Sequence, residues 1–535
     1  MESSAQPPFD ARDPAGCRVF LENLPITNVP LAHDLVGKLL KAVHDLPPAA
    51  PEYLSVLEAA HEPLAFLQEE VAARYAARPL PANDVESAIF AKVVSLWRLM
   101  ASAYARVAEL GGNDPGVQEK LALICQRCLH YAGLTIVEHY RAHRQLDAGA
   151  WLELHGFFDT AEEWGLVDAD VRESPEKAGA TCAITYATVL LIDLANPYGR
   201  TPKELAWIIR WAKLMAPRAS VRKPDDAGGR GYGLDLLQDR GLLPVDHLSD
   251  TPSARLFDTS RLGEPVQQLL ARLKAGEDPA ALELGDDCSA VHAMRLLLQL
   301  YRPWCLAAMP RRFERARASG TLSIALQAES IYFHVTGGEF VQPQHARIFS
   351  RAEMERYWTF RNQLDPKLPL NLRTAALGFA LDVWAIADQS LNGYRVSRNA
   401  AGPRIEHNQL IALKPPGKED FVLGRITWLF QDRAGGLQAG IHVLPGPVSG
   451  VSVRPTGIGV SASDQYVPSF FVPGIVALKE PLSVILPPGW FSPGRVVEIF
   501  TDRPVAAKLQ ELLAKGPNFE RCSFTLADQP LRAAL

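Results

Sequence analysis

What the chain has little of narrows it first. Its seven cysteines, Cys17, Cys125, Cys128, Cys182, Cys288, Cys305 and Cys522, are odd in number, widely scattered and set in mostly apolar surroundings. That distribution suits reduced, buried thiols better than a disulfide framework. No stretch offers about 18 uninterrupted apolar residues, and the start, MESSAQPPFDARDPAG, has neither a basic run nor an apolar core, so no membrane insertion and no secretory signal are expected. The expected location is the cytoplasm. Nor is there an excess of positive charge, since the formal net charge is −5, which argues against a general nucleic-acid or membrane-surface binder. Any anionic ligand has to be met locally.

Catalytic signatures are missing as well. The sequence holds no Gly-x-Ser-x-Gly elbow, no His-Glu-x-x-His pair and no Walker lysine, the arrangements that would announce a hydrolase or a nucleotide-hydrolysing enzyme. Gly229-Arg-Gly231-Tyr-Gly233 follows no strand and misses the Gly-x-Gly-x-x-Gly spacing, so it reads as a loop. Cys125-Gln-Arg-Cys128, followed by His130, His139 and His143, invites a zinc reading. If residues 117–143 form one helix, however, His139 lies about 21 Å beyond Cys125 at about 1.5 Å per residue, too far to share an ion. A buried helical face is the better reading, and a non-enzyme with no metal and no cofactor is expected.

What is present is a globular composition, 47% apolar and 21% charged, on a chain long enough for several domains at roughly 100–200 residues each. The first half reads as successive helices. Leu31, Leu35, Val36, Leu39, Leu40 and Val43 form one apolar stripe. Asn83 and Glu86 make a capping box for a helix running through Ile89, Phe90, Val93, Trp97, Met100, Tyr104 and Val107 to Gly111-Gly112. Thr201-Pro-Lys-Glu204 opens another, with Ala206, Ile208, Ile209 and Leu214 as its buried side. Residues 223–250, rich in glycine, aspartate and proline, read as a long loop within a loop-rich break near 223–263.

After Ala318 the pattern changes to short β-prone runs over 322–335, 381–387, 410–414, 421–430 and 437–444. A capping box at Ser350-Arg-Ala-Glu353, with Met354, Tyr357 and Trp358 behind it, marks a helical insertion at about 337–377. Beyond Pro445 strands are expected over 470–478, 482–486 and 495–500, then a helix over 505–513. The fold class that follows is multidomain α+β: an all-α region over 1–310, an antiparallel β-barrel over 311–445, and a second small β-rich domain over 446–535.

The strongest constellation is Trp384-Ala-Ile-Ala-Asp388-Gln-Ser390-Leu-Asn-Gly393-Tyr-Arg395-Val396, read as strand, polar turn and strand. Aspartate and serine at alternate positions put two hydrogen-bonding side chains on one face, and glycine permits a tight turn and close approach. Asp-x-Ser-x-x-Gly resembles the signature of the PilZ family of cyclic di-GMP receptors. Gly424-Arg-Ile-Thr-Trp428 and Gly440-Ile441 are similar to two later strands of such barrels. The family also carries Arg-x-x-x-Arg before its first strand, matched here by Arg311-Arg-Phe-Glu-Arg315, with Arg347-Ile-Phe-Ser-Arg351 as a competing pair.

The resemblance implies that Arg311 and Arg315 clamp cyclic di-GMP against Asp388, Ser390 and Gly393, with Arg312, Arg347, Arg351 and Arg395 as further candidates. Guanidinium suits that role because it pairs bidentately with phosphate and with guanine O6/N7, and stacks on purines. The expected function is a receptor that changes domain arrangement or partner binding when the ligand binds, with a protein partner meeting the helical half. An ordinary hairpin turn at Asp388–Gly393 is the plain alternative, within a ligand-independent scaffold. Whether the ligand would bind as monomer or dimer stays open.

Overall fold

The computed structural model describes residues 9–10, 12–76, 78–171, 179–224, 231–306, 316–343, 378–456, 465–501 and 503–526. They fall into two units, Met1–Arg78 with Ala82–Arg311, and Pro79–Pro81 with Arg312–Leu535.

The first unit begins with helices α1 (Pro14–Glu22), α2 (Val29–Asp45), α3 (Ala50–Ala72), α4 (Asp84–Leu110), α5 (Pro115–Gln118), α6 (Leu121–Arg141), α7 (Ala150–Glu163), α8 (Cys182–Leu194) and α9 (Pro202–Met215). The capping boxes of α4 and α9 form in both directions, Asn83 with Glu86 and Thr201 with Glu204. On α2 the stripe buries Val36, Leu39, Leu40 and Val43 but leaves Leu31 exposed. On α9 the buried side is Leu205, Trp207, Ile208, Trp211 and Met215, whereas Ala206, expected inside, faces out. The two tryptophans are large enough to set the face that docks.

α6 runs between two apolar cores. Cys125, Leu129 and Ile136 belong to one, Ile124, Cys128 and Tyr131 to the other, so the Cys-x-x-Cys pair divides between cores. α4 is long and apolar enough to cross a membrane by length and composition, yet Val93, Trp97, Met100, Tyr104 and Val107 are buried in the helical core.

The glycine-rich stretch after α9 is not simply a loop. Strands β1 (Ser220–Arg222), β2 (Tyr232–Asp235), β3 (Leu243–Pro244) and β4 (Ala254–Asp258) form a four-stranded sheet in the order β1-β4-β2-β3. Their two to five residues are too short to show a period of two, which is why the pattern hid them. Helices α10 (Gly263–Lys274) and α11 (Ala290–Cys305) complete the unit.

The second unit holds two closed barrels. The first comprises β5 (Ala316–Arg317), β6 (Thr321–Ala325), β7 (Asp382–Ser390), β8 (Gly393–Arg398), β9 (Leu410–Lys414), β10 (Val422–Gln431) and β11 (Leu437–Val443). The order β7-β6-β9-β10-β11-β8 closes through a β7–β8 pairing, and β5 continues the β6 edge along β7. Ile324, Trp384, Val396, Ile411, Ile426, Ala439 and Ile441 fill the interior, leaving about 10 Å³. This barrel is packed solid and offers no internal ligand chamber.

Between β6 and β7 the expected strand over 322–335 is a strand followed by a helix, α12 (Ala328–Thr336). Gly337, at φ 77°, supplies the left-handed residue that ends it. The capping box at Ser350–Glu353 lies outside the described residues.

The second barrel is β12 (Ser449–Pro455), β13 (Val467–Val472), β14 (Ser483–Leu486), β15 (Val496–Phe500), β16 (Pro504–Lys515) and β17 (Glu520–Leu526), closed in the order β12-β13-β14-β17-β16-β15. The helix expected over 505–513 is strand β16. Its composition favours a helix, but it pairs with β15 on one side and β17 on the other, and closure of the ring overrides local propensity.

α12 joins the barrels. Ile331 on α12, Leu410 and Ala412 on β9, Phe470 and Val472 on β13, and Phe519 share one buried cluster. Asn518 clamps β9 from the second barrel: its carboxamide accepts from Leu410 N–H (2.8 Å) and donates to Leu410 C=O (3.0 Å). Leu80, in the short segment 79–81, exchanges both main-chain hydrogen bonds with Ile405 (2.8 and 2.7 Å).

Candidate functional site

The Asp388-x-Ser390-x-x-Gly393 signature occupies the β7–β8 hairpin. Up to Ile386, which pairs with Val396, alternation sends Trp384 and Ile386 inward. A bulge then intervenes, and Asp388 pairs with Arg395 and Ser390 with Gly393. The extra residue resets the register, so that half-buried Asp388 and Ser390 stand opposite Arg395 and Gly393, on the side of the sheet that exposed Arg395 occupies.

Across the other edge of β7, Arg317 of β5 pairs with Asp388, and Ala316 with Gln389. Asp388 therefore lies between two arginine positions on one row, Arg317 and Arg395, each one strand away. The row continues, because Arg395 pairs with Gly440 of β11 and Gly440 with Trp428 of β10. Arg395 Nη2 also donates to Gln438 Oε1 at 3.3 Å.

Gly393 is needed for close packing of strands. A Cβ there would fall 2.3 Å from the Ile441 carbonyl oxygen on β11. Ser390 Oγ donates to Asn392 Oδ1 (3.2 Å), and the Asn392 carbonyl accepts from Val443 N–H (2.9 Å), tying the turn to β11. His442, opposite Gly393, is held below the usual imidazole range by burial and by the Arg425 charge, with Glu480 opposing. Burial pushes the Tyr394 hydroxyl up.

Of the residues that the sequence singles out, Asp388, Ser390, Gly393 and Arg395 come together on this face. Arg311, Arg312, Arg315, Arg347 and Arg351 lie outside the described residues; Ala316, which follows Arg315 in the chain, pairs with Gln389. Sequence reasoning missed Arg317, although its place two residues after Arg315 was a usable signal. It also matched Trp428 only as a strand motif, because a row across four strands depends on register. At the other candidate, Cys125 and Cys128 are buried on α6, and His139 Nδ1 pairs with the Thr135 carbonyl at 2.8 Å. Among the described residues no group of three or more His, Cys, Asp or Glu side chains is placed to hold a metal.

Fold and face together define the class: an α+β protein with a helical N-terminal unit, a PilZ-like antiparallel barrel bearing a charged outer row, and a second closed barrel. Residues 15–225 match the model of "Cyclic-di-GMP receptor FimW, N-terminal domain", and residues 451–527 match that of the "FimW C-terminal beta-barrel domain". The chain is 22% identical over 445 residues to the cyclic-di-GMP receptor FimW of Pseudomonas aeruginosa (strain PAO1), covering 74% of this chain and 70% of that protein. Over these two stretches and over most of its length the chain is thus similar to a cyclic-di-GMP receptor family. The two models leave residues 226–450 uncovered, the stretch that holds the PilZ-like barrel.

Proposed function

We propose that this chain is a non-enzymatic cyclic di-GMP receptor, and that the ligand lies on the outer face of the first barrel across Asp388, Ser390 and Arg395. The observation that carries the proposal is the β5–β7 pairing: the chain emerging from Arg311–Arg315 is hydrogen-bonded directly beside the Asp388–Ser390 signature. Likeness to a protein named as a cyclic-di-GMP receptor supports the same ligand. The packed interior turns the ligand to the outside.

Asp388 accepts hydrogen bonds from the guanine N–H edge, Ser390 offers a short donor, and Arg311 and Arg315 take phosphate and guanine O6/N7. Fixing the arginine-bearing segment would favour one arrangement of the helical half and the barrel, since a ligand shifts a population only by binding one state better. The helical half would then present the output surface to a protein partner.

Calorimetry with cyclic di-GMP tests this. Replacing Arg311 and Arg315 together by alanine should cost about 2–5 kcal/mol of binding or more, at least a thirtyfold loss. Unchanged affinity in that variant would move the clamp to Arg347 and Arg351. A wild-type chain with no saturable signal at micromolar ligand would overturn the receptor and leave a scaffold.

A further inference from the structure

On the outer face that carries Asp388, the row ends at an aromatic floor. Gly440 pairs with both Arg395 and Trp428, and a Cβ on Gly440 would fall 2.0 Å from Trp428 Nε1 and 2.4 Å from Cε2. The indole therefore lies flat on the β11 backbone, with one face against Gly440. A bulge at Thr427, whose Oγ1 donates to the Gly440 carbonyl (3.0 Å), turns Trp428 outward. Phe430, the next outward residue of β10, stacks offset against it, ring centroids 5.9 Å apart at 20°. Trp428 is half-buried, and the filled barrel interior makes no use of it.

Three features of this floor fit a purine better than an apolar partner. It is flat and aromatic, the form on which bases stack. Arg395 stands beside it, oriented by Gln438, and guanidinium is the group that reads guanine O6/N7. Arg425 lies on the same outer face in the neighbouring row, opposite His442, and a guanidinium there suits the phosphodiesters of such a ligand. From Asp388 to Trp428 the row crosses three strand spacings, roughly 14 Å, a span suited to a ligand with one base at each end.

We propose that Trp428 and Arg395 form a second purine subsite: one guanine sits at Asp388–Ser390, while the other stacks on the outward face of Trp428 with its O6/N7 edge toward Arg395. This rests on the reading of the face as the cyclic di-GMP site. The test is calorimetry on the full chain with cyclic di-GMP and cyclic di-AMP. Trp428→Leu should weaken cyclic di-GMP binding about 5- to 150-fold, and Trp428→Phe should retain most of it. Arg395→Ala should reduce the preference for the guanine over the adenine dinucleotide. If Trp428→Leu and Arg395→Ala keep wild-type affinity and preference while the Arg311/Arg315 double variant loses binding, the subsite is overturned and the receptor reading stands. If the wild type binds neither dinucleotide, both fall. Should Trp428→Leu fail to fold by circular dichroism, the Arg395→Ala preference decides alone.

Discussion

Gly393 shows how a signature residue can be required for a reason other than ligand access. Its Cβ position is taken by the Ile441 carbonyl, a backbone atom that cannot move without breaking the β8–β11 ladder. Gly393→Ala should destabilise the protein by about 1–3 kcal/mol, as overpacking does, read as a shift of the urea midpoint; an unshifted midpoint would return the glycine to the ligand. His155 carries a second prediction at this scale. It is fully buried, its Nδ1 accepts from the Tyr186 hydroxyl (2.7 Å) and its Nε2 donates to the Arg240 carbonyl (2.9 Å), so the neutral ring is satisfied on both sides. Burial lowers its proton affinity below the usual imidazole value of 6.5, while the Arg240 carbonyl, Asp239 and Asp235 oppose. Below about pH 6.5 the unfolded chain takes up this proton and the folded chain does not, so stability falls on acidification, by at most about 1.4 kcal/mol per pH unit. His155→Gln should flatten the difference between denaturation midpoints taken at about pH 7.5 and about pH 5.5. At the residue scale the Asp388-x-Ser390-x-x-Gly393 hairpin was legible because turn chemistry and spacing are local. The bulge that sets Asp388 opposite Arg395 was not, because it exists only against β8.

Among the elements, short apolar runs bounded by turn residues were readable: β9 falls on the expected 410–414, and β10 and β11 lie within a residue of expectation at each end. The failures have one cause, local preference overruled by neighbours. Residues 505–513 are built from good helix formers, yet β16 has to bridge β15 and β17 for the ring to close. Residues 328–336, rich in β-branched and aromatic side chains, form α12, because Ile331 and Tyr332 fill the space beside β9 and β13. Asn518 gives this packing a measurable element. Its carboxamide satisfies both main-chain groups of Leu410, so Asn518→Ala should cost about 1–3 kcal/mol, two hydrogen bonds at about 0.5–1.5 kcal/mol each. Hydrogen exchange should accelerate at Leu410 in particular; loss of stability without that local change would mean the asparagine acts elsewhere.

For the whole molecule, the division of the chain falls at the arginine segment: Arg311 closes the first unit and Arg312 opens the second. A chain of two units need not unfold in a single step, and a ligand that binds only folded protein stabilises the unit that holds it by RT ln(1 + [L]/Kd), about 2.7 kcal/mol at a hundredfold excess over Kd. On the proposed site, cyclic di-GMP should therefore raise the transition assigned to residues 316–526, and the Arg311/Arg315 double alanine variant should abolish the rise. Scanning calorimetry on the full chain, with separate transitions assigned by hydrogen exchange, makes the comparison. A rise confined to the helical unit would place the ligand on residues 15–225, which match the N-terminal domain of a named cyclic-di-GMP receptor, and would remove the barrel face as its site. That alternative is what gives the measurement its force, because the family models cover both flanks of the PilZ-like barrel and leave the barrel itself to be judged on its own geometry.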